Sequence, residues 1–184
     1  TASSGYVLTD EVPYTAGNAI QFTDFTNNPG TGPVYYKVTA VDSCNAELTV
    51  SNTAKTVFLQ AEGGNDFIST LTWDDYSGWP GPTGMFYIYR VVNGIRQAVP
   101  FMVVSSDTFS IQHDVSAIPL DAGDNYCYVV EALEETQNGY GFQDRVFSNE
   151  ACAPQDPLIY VPNAFTPGGK NPVFTPVVLF AMPD

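Results

Sequence analysis

The sequence is poor in positive charge and in long apolar runs. Six Lys and Arg residues stand against 20 Asp and Glu, for a formal net charge of -14 over 184 residues. So acidic a chain repels polyanions, which argues against nucleic acid as a partner. The longest apolar run, residues 177–182, has six residues where a membrane helix needs about 18 or more. Because no basic segment followed by an apolar one opens the chain, we expect a secretory signal to be absent or already removed.

Residues that carry catalysis are also scarce. His113 is the only histidine, and no Ser or Cys motif places a nucleophile beside it, which favours a surface or turn histidine. No zinc-binding motif is present. Asp74 and Asp75 are adjacent acids, but neighbours in a strand face opposite sides, so we expect a solvated sheet end rather than a glycosidase acid pair. The sequence therefore predicts no enzyme activity, no metal and no cofactor.

The residues that are abundant favour a folded β protein. Hydrophobic residues make up 44% and aromatic residues 14% of the chain, too many for a disordered acidic tail. Val, Thr, Tyr and Phe are plentiful, and these side chains suit pleated, half-buried strands. Composition thus predicts an all-β fold.

An internal repeat divides the chain. The pattern at residues 36–42 and 51–54 returns at 128–134 and 148–151, offset by 92 and then by 97 residues. The shared positions are Tyr36 with Tyr128, Val38 with Val130, Ala40 with Ala132, Ser51 with Ser148, Asn52 with Asn149, and Ala54 with Ala151. A period of about 100 residues matches one seven-stranded sandwich domain, so the repeat predicts tandem β-sandwiches.

The second unit shows short alternating strands at regular spacing. Predicted strands cover residues 56–60, 67–73, 86–92, 97–104 and 108–113, and Asn93-Gly94 supplies the tight hairpin turn before residue 97. Alternation places Trp73 and, later, Tyr128 on apolar faces. We therefore expect both rings in one sandwich core.

The segment that leads into the Tyr128 strand has the pattern L-x-x-G-x-x-Y, formed by Leu120, Gly123 and Tyr126. It resembles the tyrosine corner of a fibronectin type III domain, in which the phenol bonds back to the upstream backbone. The resemblance implies a complete fibronectin type III or immunoglobulin-like sandwich over residues 59–156. Residues 1–58 match only the later half of such a domain, so we expect the chain to begin inside one.

The three cysteines are Cys44, Cys127 and Cys152. Cys127 lies between inward-facing tyrosines and must point outward, and Cys152 lies on the following antiparallel strand at a matched distance from the Asn138-Gly139 turn. We predict a disulfide between them, worth about 3 kcal/mol in the chain-entropy model, and with it an oxidising, extracytoplasmic location. The alternative is two free thiols. Cys44 is either free or paired outside this chain.

A motif near the end carries a more specific resemblance. The residues read YVPNAFTP: Tyr160, Val161, Pro162, Asn163, Ala164, Phe165, Thr166 and Pro167. This resembles the opening of the C-terminal domain of gliding-motility-associated and other type 9 secreted surface proteins of the Bacteroidetes. The resemblance implies that residues 157–184 begin an export-signal domain that the chain does not complete. Its partner would be the type 9 machinery, including an outer-membrane β-barrel component.

The chain departs from that family in the loop after the motif. The family has an Asn- and Asp-rich loop there, whereas this chain has Gly168, Gly169, Lys170, Asn171 and Pro172. A calcium site needs several oxygen ligands, so we expect none in this loop.

Tyr76 and Trp79 form a candidate ligand-stacking loop, since exposed aromatic rings stack on sugars in many modules. The competing interpretation is that these rings pack over the end of the sandwich. The resemblance favours it, because the W-x-x-Y-x-x-W spacing from Trp73 to Trp79 is similar to that of fibronectin-like modules of the same family.

Two functions remain open. One is a non-enzymatic stalk and export-signal region of a secreted or cell-surface protein, such as a gliding or attachment adhesin, in which the units space other domains of the same long chain. The other is an accessory region, able to bind surface polysaccharide, of a secreted polysaccharide-degrading enzyme. Both imply an extracellular or outer-surface location.

Overall fold

A computed structural model describes residues 5–17, 20–64, 66–118 and 125–156, together with the backbone of two short strands at 158–160 and 177–179. These residues form β-strands, turns and extended segments and contain no helix. The all-β fold predicted from composition is therefore confirmed. No helix in this part of the chain is long and apolar enough to cross a membrane.

The strands fall into three groups along the chain. Those of the first 58 residues are β1 (Tyr35–Tyr36), β2 (Thr39–Val41), β3 (Glu47–Val50) and β4 (Ala54–Lys55). The middle group consists of β5 (Leu59–Glu62), β6 (Ile68–Trp73), β7 (Thr83–Val92), β8 (Ile95–Arg96), β9 (Met102–Ser105), β10 (Ser110–Asp114), β11 (Tyr126–Glu134), β12 (Arg145–Phe147) and β13 (Ala151–Ala153). Two strands follow, β14 (Leu158–Tyr160) and β15 (Val177–Leu179).

The middle group forms a β-sandwich of two antiparallel sheets. One sheet has the order β10-β6-β5. The other has the order β12-β11-β7-β8, with β13 also paired to β11 and β9 also paired to β7. Its longest ladder joins β11 to β7, from Cys127 opposite Val91 to Glu134 opposite Thr83.

The core lies between the two sheets. Alternation in β6 turns Leu71 and Trp73 inward, and Phe86 on β7 meets the Trp73 ring edge-on with ring centroids 5.7 Å apart. Tyr128 on β11 is fully buried, and Trp73 is 5% exposed. The prediction that Trp73 and Tyr128 share one core is confirmed. The buried cluster comprises Val57, Leu59, Leu71, Trp73, Phe86, Ile88, Val115, Tyr126, Tyr128, Val130, Ala132 and Ala153.

One predicted strand is wrong in extent. Residues 97–104 were expected to pair with β7 without interruption, but the return consists of β8 and β9 with an irregular segment between them. Pro100 lies in that segment and has no N–H to donate to a ladder. The Asn93-Gly94 turn forms as predicted, with positive φ angles of 52° and 73°. The first strand of the unit is also displaced, since β5 begins at Leu59 rather than at residue 56.

The phenol of Tyr126 bonds back to the upstream backbone, as the tyrosine-corner pattern predicts. Its hydroxyl lies 2.6 Å from the Ile118 carbonyl oxygen and 3.3 Å from that of Val115. Burial raises the pKa of Tyr126. Leu120 and Gly123, the other members of the pattern, lie outside the described residues.

The hairpin built from β1 to β4 repeats the geometry of the hairpin built from β11 to β13. In the first hairpin, Tyr36 lies opposite Ala54; in the second, the equivalent residues Tyr128 and Ala151 lie opposite each other. The Ser51 N–H donates to the Val38 carbonyl, and Ser51 Oγ accepts from the Val38 N–H. Ser148 and Val130 exchange the same two bonds. The sequence repeat is therefore also a repeat of hydrogen bonding, although Val130 is buried and Val38 is 72% exposed.

Candidate functional site

The candidate catalytic residues have structural partners. Asp74 accepts from the Phe58 N–H at 2.6 Å and pairs with Lys55, and Asp75 accepts from the Thr83 hydroxyl at 2.6 Å. Both carboxylates therefore organise the end of β6. The expectation of a solvated sheet end is wrong to that extent, because each acid is partly buried and engaged.

His113 is not the surface or turn histidine that the sequence predicted. It lies within β10 and is half-buried, with its ring stacked on Phe101 at a centroid distance of 4.3 Å. Its Nδ1 lies 2.9 Å from the Tyr128 hydroxyl. Burial lowers the pKa of His113, and Arg90 lowers it further. Burial raises the pKa of Tyr128 to about 12.

Cys127 and Cys152 are bonded, with sulfur atoms 2.04 Å apart. The two residues lie directly opposite each other on β11 and β13, which is the register that the cysteine spacing predicted. Cys44 is an exposed free thiol. Glu150 lies close to both bonded sulfurs, but a disulfide offers no thiolate ligands, so these three side chains do not form a metal site.

A junction connects the first hairpin to the sandwich; we define it as Asn52, Lys55, Asp74, Ser77 and Gly78. Strand β4 pairs with β1 on one side, and its residue Lys55 forms a β-bridge with Ser77 on the other. The Lys55 ammonium lies 3.0 Å from the Asp74 carboxylate, and the Asn52 amide donates to the Gly78 carbonyl at 2.6 Å. Backbone and side-chain bonds thus clamp the two parts together where the chain passes between them.

The candidate stacking loop packs against the sandwich. The rings of Tyr76 and Trp79 lie 4.5 Å apart at 45° to one another, are half-buried, and contact the core cluster. Gly78 allows this packing, since its φ is +146° and a Cβ there would lie 2.6 Å from the Tyr76 hydroxyl. Most of the surface of these two rings is therefore buried in packing, in agreement with the packing interpretation.

Two exposed aromatic residues, which the sequence analysis did not single out, lie beside that loop. Tyr140 is 88% exposed and Phe142 is 51% exposed, and their ring planes are inclined at only 24° with centroids 6.3 Å apart. Both project from the turn between β11 and β12. A signal for them is present in the sequence, which reads Asn138-Gly139-Tyr140-Gly141-Phe142. Turns are usually built of polar and small residues, so two aromatic side chains in this turn are unusual.

Two connections, between β6 and β7 and between β11 and β12, together line a surface groove of about 390 Å³, which we call the aromatic groove. Its lining consists of residues 76, 78–80, 138–140, 142 and 144–146. Burial raises the pKa of Tyr76, and the nearby carboxylates of Asp144 and Glu134 raise it further. Arg145 donates to Glu131 at 2.9 Å while its side chain is 55% exposed. The groove therefore combines aromatic rings with the carboxyl group of Asp144, while the Arg145 guanidinium contacts Glu131 and the ring of Tyr87.

The export-signal segment lies largely outside the described residues. Tyr160 ends β14, whose backbone pairs with β15 so that Tyr160 lies opposite Val177. Val161, Pro162, Asn163, Ala164, Phe165, Thr166 and Pro167 are not among the described residues, and neither is the loop at 168–172.

Comparison of the chain with models of protein families, with curated proteins and with solved structures finds no match. The assignment of function therefore rests on the residues and the geometry above.

Proposed function

We propose that this chain is a non-enzymatic stalk and export-signal region of a secreted or cell-surface protein of the gliding or attachment type, exported by the type 9 secretion system. The junction is the observation that carries the stalk role. A spacer that presents other domains must transmit orientation, and a β-bridge, an ion pair and a side-chain bond to Gly78 restrict rotation between successive parts. The repeated hairpin geometry supports a chain made of similar β modules.

The covalent chemistry supports an extracellular or outer-surface location. Disulfides persist in oxidising compartments, and Cys127–Cys152 joins two strands of the sandwich. The net charge of -14 fits a protein that stays dispersed and away from nucleic acid.

The export role is proposed from the motif at residues 160–167, together with its first described neighbours. Strands β14 and β15 are three residues each and pair only with one another among the described residues. A two-stranded ribbon is marginal alone in water, and an added strand would stabilise it, so the proposed mode of recognition is pairing with a strand of a receptor. The proposed receptor is the type 9 machinery, including an outer-membrane β-barrel component.

Deletion of residues 159–184 in the producing cells tests the export role. We expect the protein to disappear from the cell surface and the medium and to accumulate inside the envelope. The measurement is fractionation, with surface exposure followed by added protease. The control is Y140A, which changes an exposed ring outside the deleted segment and should leave export unchanged. Undiminished surface display of the deletion variant, with the sandwich folded, would contradict the proposed role.

A second candidate function is an accessory, carbohydrate-binding region of a secreted polysaccharide-degrading enzyme. The aromatic groove is the specific observation that favours it, because sugar contacts rely on exposed aromatic faces flanked by polar groups. In that case, the double variant Y140A/F142A, which removes only the exposed rings, would lower degradation of insoluble polysaccharide by the whole enzyme while leaving soluble substrates unaffected.

A further inference from the structure

We propose that the aromatic groove binds a neutral, hydroxyl-rich carbohydrate, with Tyr140 and Phe142 as the stacking platform and Asp144 as a hydrogen-bond acceptor. This inference rests on the second candidate function, carbohydrate binding at this groove, and deepens it by naming the class of glycan and the residues that contact it. It does not depend on the stalk and export roles, because it concerns the surface of the sandwich alone.

The first argument is the exposure and fixed geometry of the two rings. Large aromatic side chains that remain mostly in water are enriched where a ligand later covers them. The turn that carries them is closed by three hydrogen bonds, from the Asn138 N–H to the Phe142 carbonyl, from the Gly141 N–H to the Asn138 carbonyl, and from the Tyr140 N–H to Asn138 Oδ1. A turn held in this way loses little conformational freedom when a ligand binds.

The second argument is the shape of the groove. Tyr76 and Trp79 pack on the core and form a wall that cannot collapse onto the exposed rings. Its volume of about 390 Å³ falls at the lower end of the roughly 300–1,000 Å³ range of small-molecule sites. The rings of Tyr140 and Phe142 both line the groove, and their planes are inclined to one another by only 24°. Such a site fits one or a few sugar rings, whose C–H faces are flat and apolar.

The third argument is the set of polar groups. The Asp144 carboxylate accepts no hydrogen bond from any described residue, although it lies near enough to the Tyr76 hydroxyl to raise the pKa of that phenol. The Arg145 guanidinium is engaged elsewhere, with Glu131 and the ring of Tyr87. The Asp144 carboxylate beside aromatic rings can accept hydrogen bonds from the hydroxyl groups of a sugar.

The negative charge of the chain favours a neutral glycan over an anionic one as the ligand. The chain carries -14 overall, and Asp144 and Glu134 add local negative potential, so acidic polysaccharides are repelled. A peptide that paired with the edge strand β12 would bind through its backbone and would not need the Asp144 carboxylate. Retardation by a polysaccharide that is weakened in Y140A, F142A and D144N would therefore assign sugar binding, rather than strand addition, to this groove.

Affinity electrophoresis in native gels that contain a soluble polysaccharide tests the proposal on the intact chain. The probes are three neutral polymers, a mixed-linkage β-glucan, a mannan and an α-glucan, and one anionic polymer, alginate. We expect at least one neutral polymer, and not alginate, to retard the protein. Y140A and F142A should each weaken that binding about three- to tenfold, and D144N should weaken it as well.

Two controls keep the outcome interpretable. Y140F retains the ring and should retain binding, while F25A removes a ring that is 90% exposed outside the sandwich and should have no effect. Thermal melting confirms that each variant is folded. The proposal is overturned if none of the neutral polymers retards the protein, or if retardation persists in Y140A and F142A. Loss of binding in Y140A and F142A with full binding in D144N would show that Asp144 does not contact the sugar, which would overturn its assigned role as acceptor.

Discussion

His113 shows how a single residue takes its properties from its neighbours. Half-buried in β10, it stacks on Phe101 and lies within hydrogen-bonding distance of the buried Tyr128 hydroxyl. Burial makes protonation of the ring unfavourable and lowers its pKa, with Arg90 acting in the same direction and Asp114 against it. The only histidine in the chain is therefore part of the packing at the edge of the core.

The stability of the fold should depend on pH through His113. Its pKa is about 6.5 in the unfolded chain and lower in the folded one, so the unfolded state binds more protons as the pH falls below 6.5. We expect the free energy of unfolding to be fully present above that pH and to decrease as the pH falls toward the folded pKa. Urea unfolding at pH 5, 6, 7 and 8 measures this dependence.

H113Q is the matched variant for that measurement. It keeps a polar side chain of similar size but cannot titrate, so the slope between pH 7 and 5 should flatten. The lowered pKa values of Asp24 and Asp114 affect only a more acidic range and do not interfere. An equal slope in H113Q and the unchanged protein would show that His113 is not the cause.

At the scale of elements, the disulfide compensates for the shortness of β13. This strand has three residues and, within the part of the chain that the structure describes, forms one ladder, with β11. The bond between Cys127 and Cys152 ties it to the longest ladder in the structure, that of β11 and β7. A strand with so few hydrogen bonds is thus covalently anchored to β11, which is paired with other strands along both of its edges.

Removing the disulfide should destabilise the sandwich by about 3 kcal/mol, as expected for a loop of this length. The double variant C127A/C152A provides the change, and urea unfolding under non-reducing conditions provides the measurement. C44A is the control, since Cys44 is exposed and outside the sandwich, and it should alter the free energy of unfolding very little. A loss below about 1 kcal/mol in the double variant would mean that the closed loop is already restricted in the unfolded state.

Features set by short-range pattern were predictable from the sequence. The direction of Trp73, the Asn93-Gly94 turn and the opposition of Cys127 and Cys152 follow from alternation with a period of two and from turn chemistry. The interruption between β8 and β9 was missed because the apolar pattern continues through a proline that cannot donate to the ladder.

Features that depend on how sheets bring distant segments together could not be predicted. Tyr76 and Tyr140 are 64 positions apart in the sequence yet line one groove, since the β6–β7 and β11–β12 connections emerge at the same end of the sandwich. The local sequence of neither segment predicts that the two would lie side by side. The half-buried position of His113 likewise depends on Phe101 and Tyr128, which reach it from the other sheet.

The whole molecule is organised about the junction between the first hairpin and the sandwich. Asp74 takes part twice, since one oxygen accepts from the Phe58 N–H and the other pairs with Lys55. An ion pair with side chains 19% and 35% exposed contributes only modestly to stability, so its main effect is on orientation.

The double variant N52A/K55A should loosen the junction without unfolding the sandwich, because Asp74 keeps its bond to Phe58. Spin labels on the free Cys44 and on an introduced V103C report the distance between the two parts by double electron–electron resonance. We expect a broader distance distribution and an unchanged melting temperature of the sandwich. K37A, a lysine of the same hairpin that does not reach the sandwich, is the control. An unchanged distribution in N52A/K55A would show that the β-bridge alone fixes the orientation.

The disulfide also limits how far the sandwich can be stretched. If a pulling force acts between residues 57 and 156, the chain between Cys127 and Cys152 is bypassed by the covalent bond. That segment has a sequence separation of 25 and would otherwise extend by about 85 Å. Only the segments before Cys127 and after Cys152 can extend under tension. The chain from Cys127 to Cys152, which contains nearly all of β11, all of β12 and the turn between them, stays within a closed covalent ring. The contour length released when a sandwich of this kind unfolds under force is therefore shorter than without the disulfide. The turn that carries Tyr140 and Phe142 bears none of the force, even when the rest of the sandwich is unfolded.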